Sequence, residues 1–146
     1  MTTIIEIAAA QVLGCDVEDV EKLNYDHFGM DVYTDGSQEY AIGLDEEASQ
    51  AARDEILESL WAFNAEFILS HSKAGSKPSI IKALKQMQES LCEDANELIR
   101  VLITDLDQFV EDAISSDGRG NFLSPYDNEE QEININGIIF YCYRLN

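Results

Sequence analysis

The sequence is short of positive charge. Of 146 residues only 9 are Lys or Arg, against 29 Asp or Glu, giving a net charge of −20 and a pI near 4.1. So few cations cannot be set against a phosphate backbone or an anionic membrane surface, so no direct nucleic-acid or membrane binding is expected. No apolar run approaches the roughly 20 residues a spanning helix needs. The first six residues, ending in Glu6, lack a basic stretch ahead of an apolar one, so no secretory signal is read there. Cys15, Cys92 and Cys142 are odd in number, far apart and form no C-x-x-C, which suits free thiols in a reducing compartment. The expected location is the cytoplasm, of a bacterium that makes the protein or receives it. His27 and His71 are the only histidines, and neither has a second His or a Cys at ligand spacing, so no metal site is expected. Phosphate-cradling glycine loops and a G-x-S-x-G elbow are also missing, so neither a cofactor nor an enzyme activity is expected.

What is present is a core. Apolar residues make up 45% of the chain, enough for one domain over residues 1–146. The charge is unevenly spread. Residues 1–69 hold 16 acidic and 2 basic side chains, residues 70–88 hold Lys73, Lys77, Lys82 and Lys85 with no acid, and residues 89–146 hold 13 acidic and 3 basic. Lysines at a helix start oppose the helix dipole, so these four either pair with the acidic blocks or face a partner.

Ile4, Ile7, Ala8 and Val12 recur at helical spacing before Gly14. Asp16 reads as the N-cap of a short helix reaching Leu23, and Asp45 as the N-cap of one running through Trp61 and Phe67 to about Leu69. Strand formers around Asp35-Gly36 predict a β-hairpin over residues 30–43, and Asn136-Gly137 predicts a second. Between them, Pro78 opens the longest predicted helix, over residues 78–115, where apolar side chains fall three and four apart from Ile80 to Ala113. A straight helix of that length spans on the order of 55 Å, so a bend or a homodimer is expected. The expected fold class is α+β and mainly helical: a long helix in the C-terminal half and two hairpins joined in one small antiparallel sheet. Leu60, Trp61, Phe67, Leu91, Leu98, Leu102 and Phe109 are the expected core.

Several phrases occur together: Tyr25-Asp-His-Phe-Gly, Glu39-Tyr-Ala-Ile-Gly, Leu60-Trp-Ala-Phe-Asn-Ala-Glu-Phe-Ile, Asp117-Gly-Arg-Gly-Asn-Phe-Leu-Ser-Pro-Tyr and the closing Tyr143-Arg-Leu-Asn. With them the chain resembles a family of small acidic accessory proteins of bacteriophages and mobile elements. The resemblance implies a phage-borne setting and assigns no fold, activity or residue role. In that setting the natural targets are host defence complexes of the CRISPR or restriction type.

Candidate functional residues are therefore sought in the charge. Asp31, Asp35 and Gly36 imitate part of an EF-hand loop, but Tyr33 and Ile42 stand where ligands belong. Asp45-Glu46-Glu47 and Asp127-Asn128-Glu129-Glu130 read as solvated runs or helix starts. Arg119 lies between two glycines and reads either as an anchor into a partner or as the ion-pair partner of Asp117 or Asp127. On the long predicted helix, Glu89, Glu93 and Glu97, and then Asp107 and Glu111, stand four apart, about 6 Å from one another, near phosphate spacing along a strand. Like charges so placed disfavour the helix. The reading that gives them a purpose is a nucleic-acid mimic: Glu89, Glu93, Glu97, Asp107, Glu111 and Arg119 bind a basic nucleic-acid-binding groove of a host protein and inhibit it. The alternative is a helical dimerisation or protein-interaction module that uses apolar surface.

Overall fold

The computed structural model describes residues 1–146 as α+β, in two compact units: Met1–Asp54 with Asp117–Asn146, and Glu55–Ser116. The first unit is built on a five-stranded antiparallel sheet. Its strands are β1 (Glu21–His27), β2 (Met30–Thr34), β3 (Glu39–Gly43), β4 (Gln131–Ile135) and β5 (Ile138–Arg144), in the spatial order β1-β2-β3-β5-β4. Helix α1 (Ile4–Leu13) lies on one face. Thr3 caps it by accepting from the Glu6 amide while Glu6 reaches back to the Thr3 amide, and Gly14 ends it at φ 74°. The register sets Tyr33 beside Tyr40, Ile42 beside Cys142 and Ile133 beside Phe140, so one face presents a continuous apolar surface to Ala8, Ala9 and Leu13 of α1. Burial there pushes the Cys142 thiol up to about 12, which keeps it protonated and inert. Met30, Val32, Ala41 and Tyr143, on the opposite face, are buried as well.

Both expected hairpins form and share that sheet. Asn136 and Gly137 take φ 53° and 89°, the left-handed pair a two-residue turn requires. Asp35 Oδ1 accepts from the amides of Ser37 and Gln38, both at 2.8 Å, and organises the other turn. The helix expected from Asp16 to Leu23 does not form. A 3₁₀ turn at Val17–Asp19 leads into β1, the outer strand of the sheet. β1 returns into β2 through Phe28 (φ 51°) and Gly29, whose amide donates to Asp26 Oδ2 at 2.7 Å. Phenylalanine rarely adopts that conformation, so the turn carries little sequence signature.

The expected long helices are corrected. Where one helix is expected to Leu69, α2 (Asp45–Glu58) ends, a 3₁₀ turn follows at Leu60–Ala62, and α3 (Ala65–Ser70) starts anew. Asn64 causes the restart, its Oδ1 accepting from the amides of Glu66 and Phe67. Where one helix is expected over residues 78–115, there are α4 (Pro78–Leu91), a 3₁₀ turn at Cys92–Ala95, α5 (Asn96–Leu102) and α6 (Leu106–Asp117). The first break is at Cys92, with φ 49° and ψ −125°. Polar side chains stitch the flanking segments elsewhere: Gln88 Nε2 donates to the carbonyls of Trp61 (3.0 Å) and Phe63 (2.7 Å), and Asn96 accepts from the Trp61 amide at 2.8 Å and donates to the Glu58 carbonyl. The second break is held by the Thr104 amide, which donates to His71 O at 2.9 Å, while Asp105 Oδ1 accepts from the Gln108 amide and starts α6.

Leu60 and Phe109 are fully buried, as expected of core residues, and Trp61, Phe67 and Leu102 are half-buried. Leu91 and Leu98 are not core: they are 46% and 51% exposed. Leu91 is the last residue of α4 and Leu98 lies beyond the break at Cys92, so neither continues a buried stripe.

The Cys92 backbone sits where an L side chain is strained and glycine is at ease. Cys92→Gly is expected to raise the unfolding free energy in urea by about 1 kcal/mol, although a glycine in an unbroken helix costs a similar amount.

Candidate functional site

The sheet unit holds 18 acidic and 4 basic side chains. Three of its four cations are engaged close to home. Lys22 Nζ lies 3.5 Å from Asp31 Oδ1, and the Arg144 guanidinium lies 3.7 Å from the centre of the Tyr126 ring while its Nε donates to the Asn146 carbonyl. The opposite charge is left facing water. Asp16, Glu18, Asp19, Glu21 and Asp26 are all exposed along β1 and the 3₁₀ turn before it, and β1 is a sheet edge. Charged side chains on an edge discourage the addition of a foreign strand.

Arg119 is the unit's internal clamp. Gly118 turns the chain at φ 83° into α7 (Arg119–Leu123), a one-turn helix. A Cβ on Gly120 would stand 2.6 Å from the Glu129 carbonyl carbon and 2.7 Å from Asn128 O, so only glycine lets these backbones touch. That approach points Arg119 inward. Its Nε donates to Glu130 Oε1 at 2.8 Å, its Nη1 to Asp45 Oδ1 at 2.8 Å and to Ser49 Oγ at 3.0 Å, and its plane lies 4.6 Å from the centre of the Tyr141 ring. The Tyr143 hydroxyl donates to the same Glu130 oxygen. Burial opposes the arginine charge, but the Glu130 and Asp45 carboxylates hold its pKa above the ordinary value. The arginine thus has carboxylate partners as one of the two sequence readings expects, yet they are Asp45 and Glu130 rather than Asp117 or Asp127. With its side chain 12% exposed, it offers little to an outside ligand.

The five expected partner-binding carboxylates belong to the other unit and are all exposed. Glu89 is on α4, Glu93 in the 3₁₀ turn, Glu97 at the start of α5, and Asp107 and Glu111 on α6. The reversal at Cys92 separates Glu89 from Glu93, so no regular one-turn ladder runs through the first three; Asp107 and Glu111 keep the spacing.

One pairing is invisible in the sequence. His71 Nε2 lies 2.8 Å from Asp112 Oδ2, and its Nδ1 lies 3.1 Å from both Phe67 O and Ser70 Oγ. Phe67 and Phe109 flank the ring at 4.9 and 5.2 Å. Both nitrogens are occupied and the Ser70 hydroxyl donates to the Phe67 carbonyl, so the group clamps the end of α3 to α6 rather than aiming a base at a hydroxyl. Residues 41 apart give no local signal of such a contact. No three His, Cys, Asp or Glu side chains converge as metal ligands would, and no helix is long and apolar enough to cross a membrane. Comparison with family models, curated proteins and solved structures finds no match for the chain.

Arg119→Ala leaves Glu130 in a partly buried site without its cation. The expected loss is about 3 kcal/mol in urea unfolding, the low end for a broken buried pair because Asp45 is exposed. The His71 and Gln108 bonds hold the Asp112 carboxyl below its ordinary value of 3.8. A depressed carboxyl adds stability above its unfolded pKa and loses it as pH falls through the folded one. Asp112→Asn is therefore expected to lower the unfolding midpoint at pH 7, and the gap from wild type to close below about pH 4; a gap independent of pH contradicts this.

Proposed function

We propose that the chain is a non-enzymatic, phage-type accessory protein of the bacterial cytoplasm that inhibits a host nucleic-acid-handling defence protein by occupying its basic groove. The observation that carries this reading is the one-sided surface of the sheet unit: five exposed carboxylates follow one edge from Asp16 to Asp26, while Lys22, Arg119 and Arg144 are engaged within the unit. A line of negative charge interrupted only by Lys22, itself paired with Asp31, is what a groove built for phosphate attracts. Asp107 and Glu111, one turn apart on α6, and Glu89, Glu93 and Glu97, without regular spacing, add exposed negative charge. Arg119 supports the function through the fold of the edge it anchors.

The test is capture of partners from a bacterial lysate, followed by competition. Retention at 0.1 M salt and release at 1 M is expected, since the screening length falls from about 10 Å to about 3 Å. Nucleic acid is expected to displace the captured protein. The variant Glu18→Lys, Asp19→Lys, Glu21→Lys changes only exposed side chains, so circular dichroism should be unchanged while binding weakens by more than tenfold. Undiminished binding by this variant, or failure of nucleic acid to compete, rules the reading out. Exposed Leu91 and Leu98 favour the second reading, an apolar interaction module, whose partner is retained at high salt.

A further inference from the structure

The sheet has two outer strands, β1 and β4, and only one of them is blunted. β1 carries Glu21, Lys22 and Asp26, and its pairing with β2 is interrupted between Lys22 and Asp26. Charge and irregularity of this kind keep foreign strands off an edge. β4 has neither protection. It holds a single charged residue, Glu132, and no proline, and all five of its residues pair with β5 in one register.

That register identifies the backbone groups left over. Ile135 and Ile138 flank the two-residue turn Asn136-Gly137, so they exchange both hydrogen bonds, as do Ile133 with Phe140 and Gln131 with Cys142. Glu132 and Asn134 fall between these pairs, and their N–H and C=O groups point away from β5. Both residues are exposed, and no other backbone bonds these four groups. The side chains are open too. Asn134 Oδ1 accepts from the Gly137 amide at 2.8 Å, which leaves its Nδ2 a donor without an acceptor, and the Glu132 carboxylate has no partner in the chain.

A second β4, laid antiparallel about a two-fold axis at Ile133, answers all of these groups. Glu132 of each copy then stands opposite Asn134 of the other, and each such pair exchanges two backbone hydrogen bonds. On one face the Asn134 amide donates to the opposing Glu132 carboxylate, and this contact occurs twice. On the other face Ile133, half-buried against the α1 cluster, meets its own symmetry mate and loses its remaining exposure. A foreign strand has to bring an amide and a carboxylate at this spacing, whereas β4 brings both itself. We propose that the β4 edge is the interface of a homodimer in which two five-stranded sheets join edge to edge. The proposal does not rest on the groove-binding function and uses none of the carboxylates of β1. The two also answer oppositely to salt. Each copy carries a net charge of −20, so screening favours the dimer and weakens the groove complex.

Sedimentation velocity on the full chain, from about 1 to 100 µM, spans the range in which a micromolar complex forms. The expected mass rises from 16.4 kDa toward twice that value, and rises further with added salt. Amide hydrogen exchange supplies the positional readout: Glu132 and Asn134 should exchange more slowly at the upper end of that range than at the lower. Glu132→Pro removes an outward donor and no β4–β5 bond, so it should abolish the dimer with unchanged circular dichroism. Asn134→Asp keeps an oxygen for the Gly137 amide but sets like charges opposite each other twice, and should weaken the dimer by about tenfold. Adding Glu132→Lys to Asn134→Asp should restore it, because opposite charges then face each other. A chain that stays monomeric throughout, including one whose edge takes a strand of another protein, overturns the proposal. So does a dimer that leaves the exchange of Glu132 and Asn134 unchanged, or one indifferent to Asn134→Asp. If Glu132→Pro disturbs the fold, exchange and the charge series decide alone.

Discussion

β3 and β5 come from distant parts of the chain, and the sheet unit depends on their pairing. Tyr40 meets Arg144 and Ile42 meets Cys142, across the whole of Glu55–Ser116. Until β5 returns, the β1–β2–β3 meander has one apolar face unfinished, and α1 has only part of the surface it packs against. Closing so long a loop is entropically costly, and contacts of this range slow folding. The segment that brings β5 home is accordingly fastened in several ways. Gly120 lets two backbones touch, Arg119 reaches Glu130 and Asp45, and Asn146 holds the far end by accepting from the Glu39 amide and donating to Ser37 O. The Gly-Arg-Gly phrase, one reading of which is an anchor into a partner, is better understood as a latch.

What the sequence reveals follows from the range of the interactions. Asp35-Gly36 and Asn136-Gly137 announce their turns because the residues that make each turn are the ones that favour it. Phe28-Gly29 does not, so β1 goes unseen and its acidic run reads as the start of a helix. The helix breaks are hidden for another reason. Apolar spacing continues across Cys92 and across Ile103 to Asp105, and the interruptions are set by Gln88, Asn96 and Thr104 bonding to backbone groups far along the chain. Arg119 is legible as a planar fork seeking carboxylates, but which carboxylates it finds depends on tertiary approach. His71 and Asp112 fail the same test.

The surplus of acid then takes on structure. It is not spread evenly over the molecule: the sheet unit carries most of it, and Lys22, Arg119 and Arg144 have local roles there. Acid along β1 has a sufficient local purpose in keeping the sheet edge from recruiting strands, and that purpose needs only a few charges. Five along one edge exceed it. In the helical unit the excess is weaker and the signs are separated along α4 instead of mixed.

Mixed signs on a helix surface give local ion pairs and no preferred partner, whereas separated signs give a direction. The four lysines illustrate the difference. Spread among the chain's 29 acids they would be neutralised at once, yet they occupy the longest acid-free stretch and make no ion pair. A one-signed edge and an apolar groove ask for different partners. The edge suits any extended positive groove and discriminates weakly, because its attraction is summed over many exposed charges that salt screens together. The groove between α4 and α5 is apolar, and Lys82, Lys85 and Glu89 line other surfaces of α4. Ionic strength thus acts on the first as a switch and on the second as a modest adjustment, and the two surfaces answer separately to the same variable.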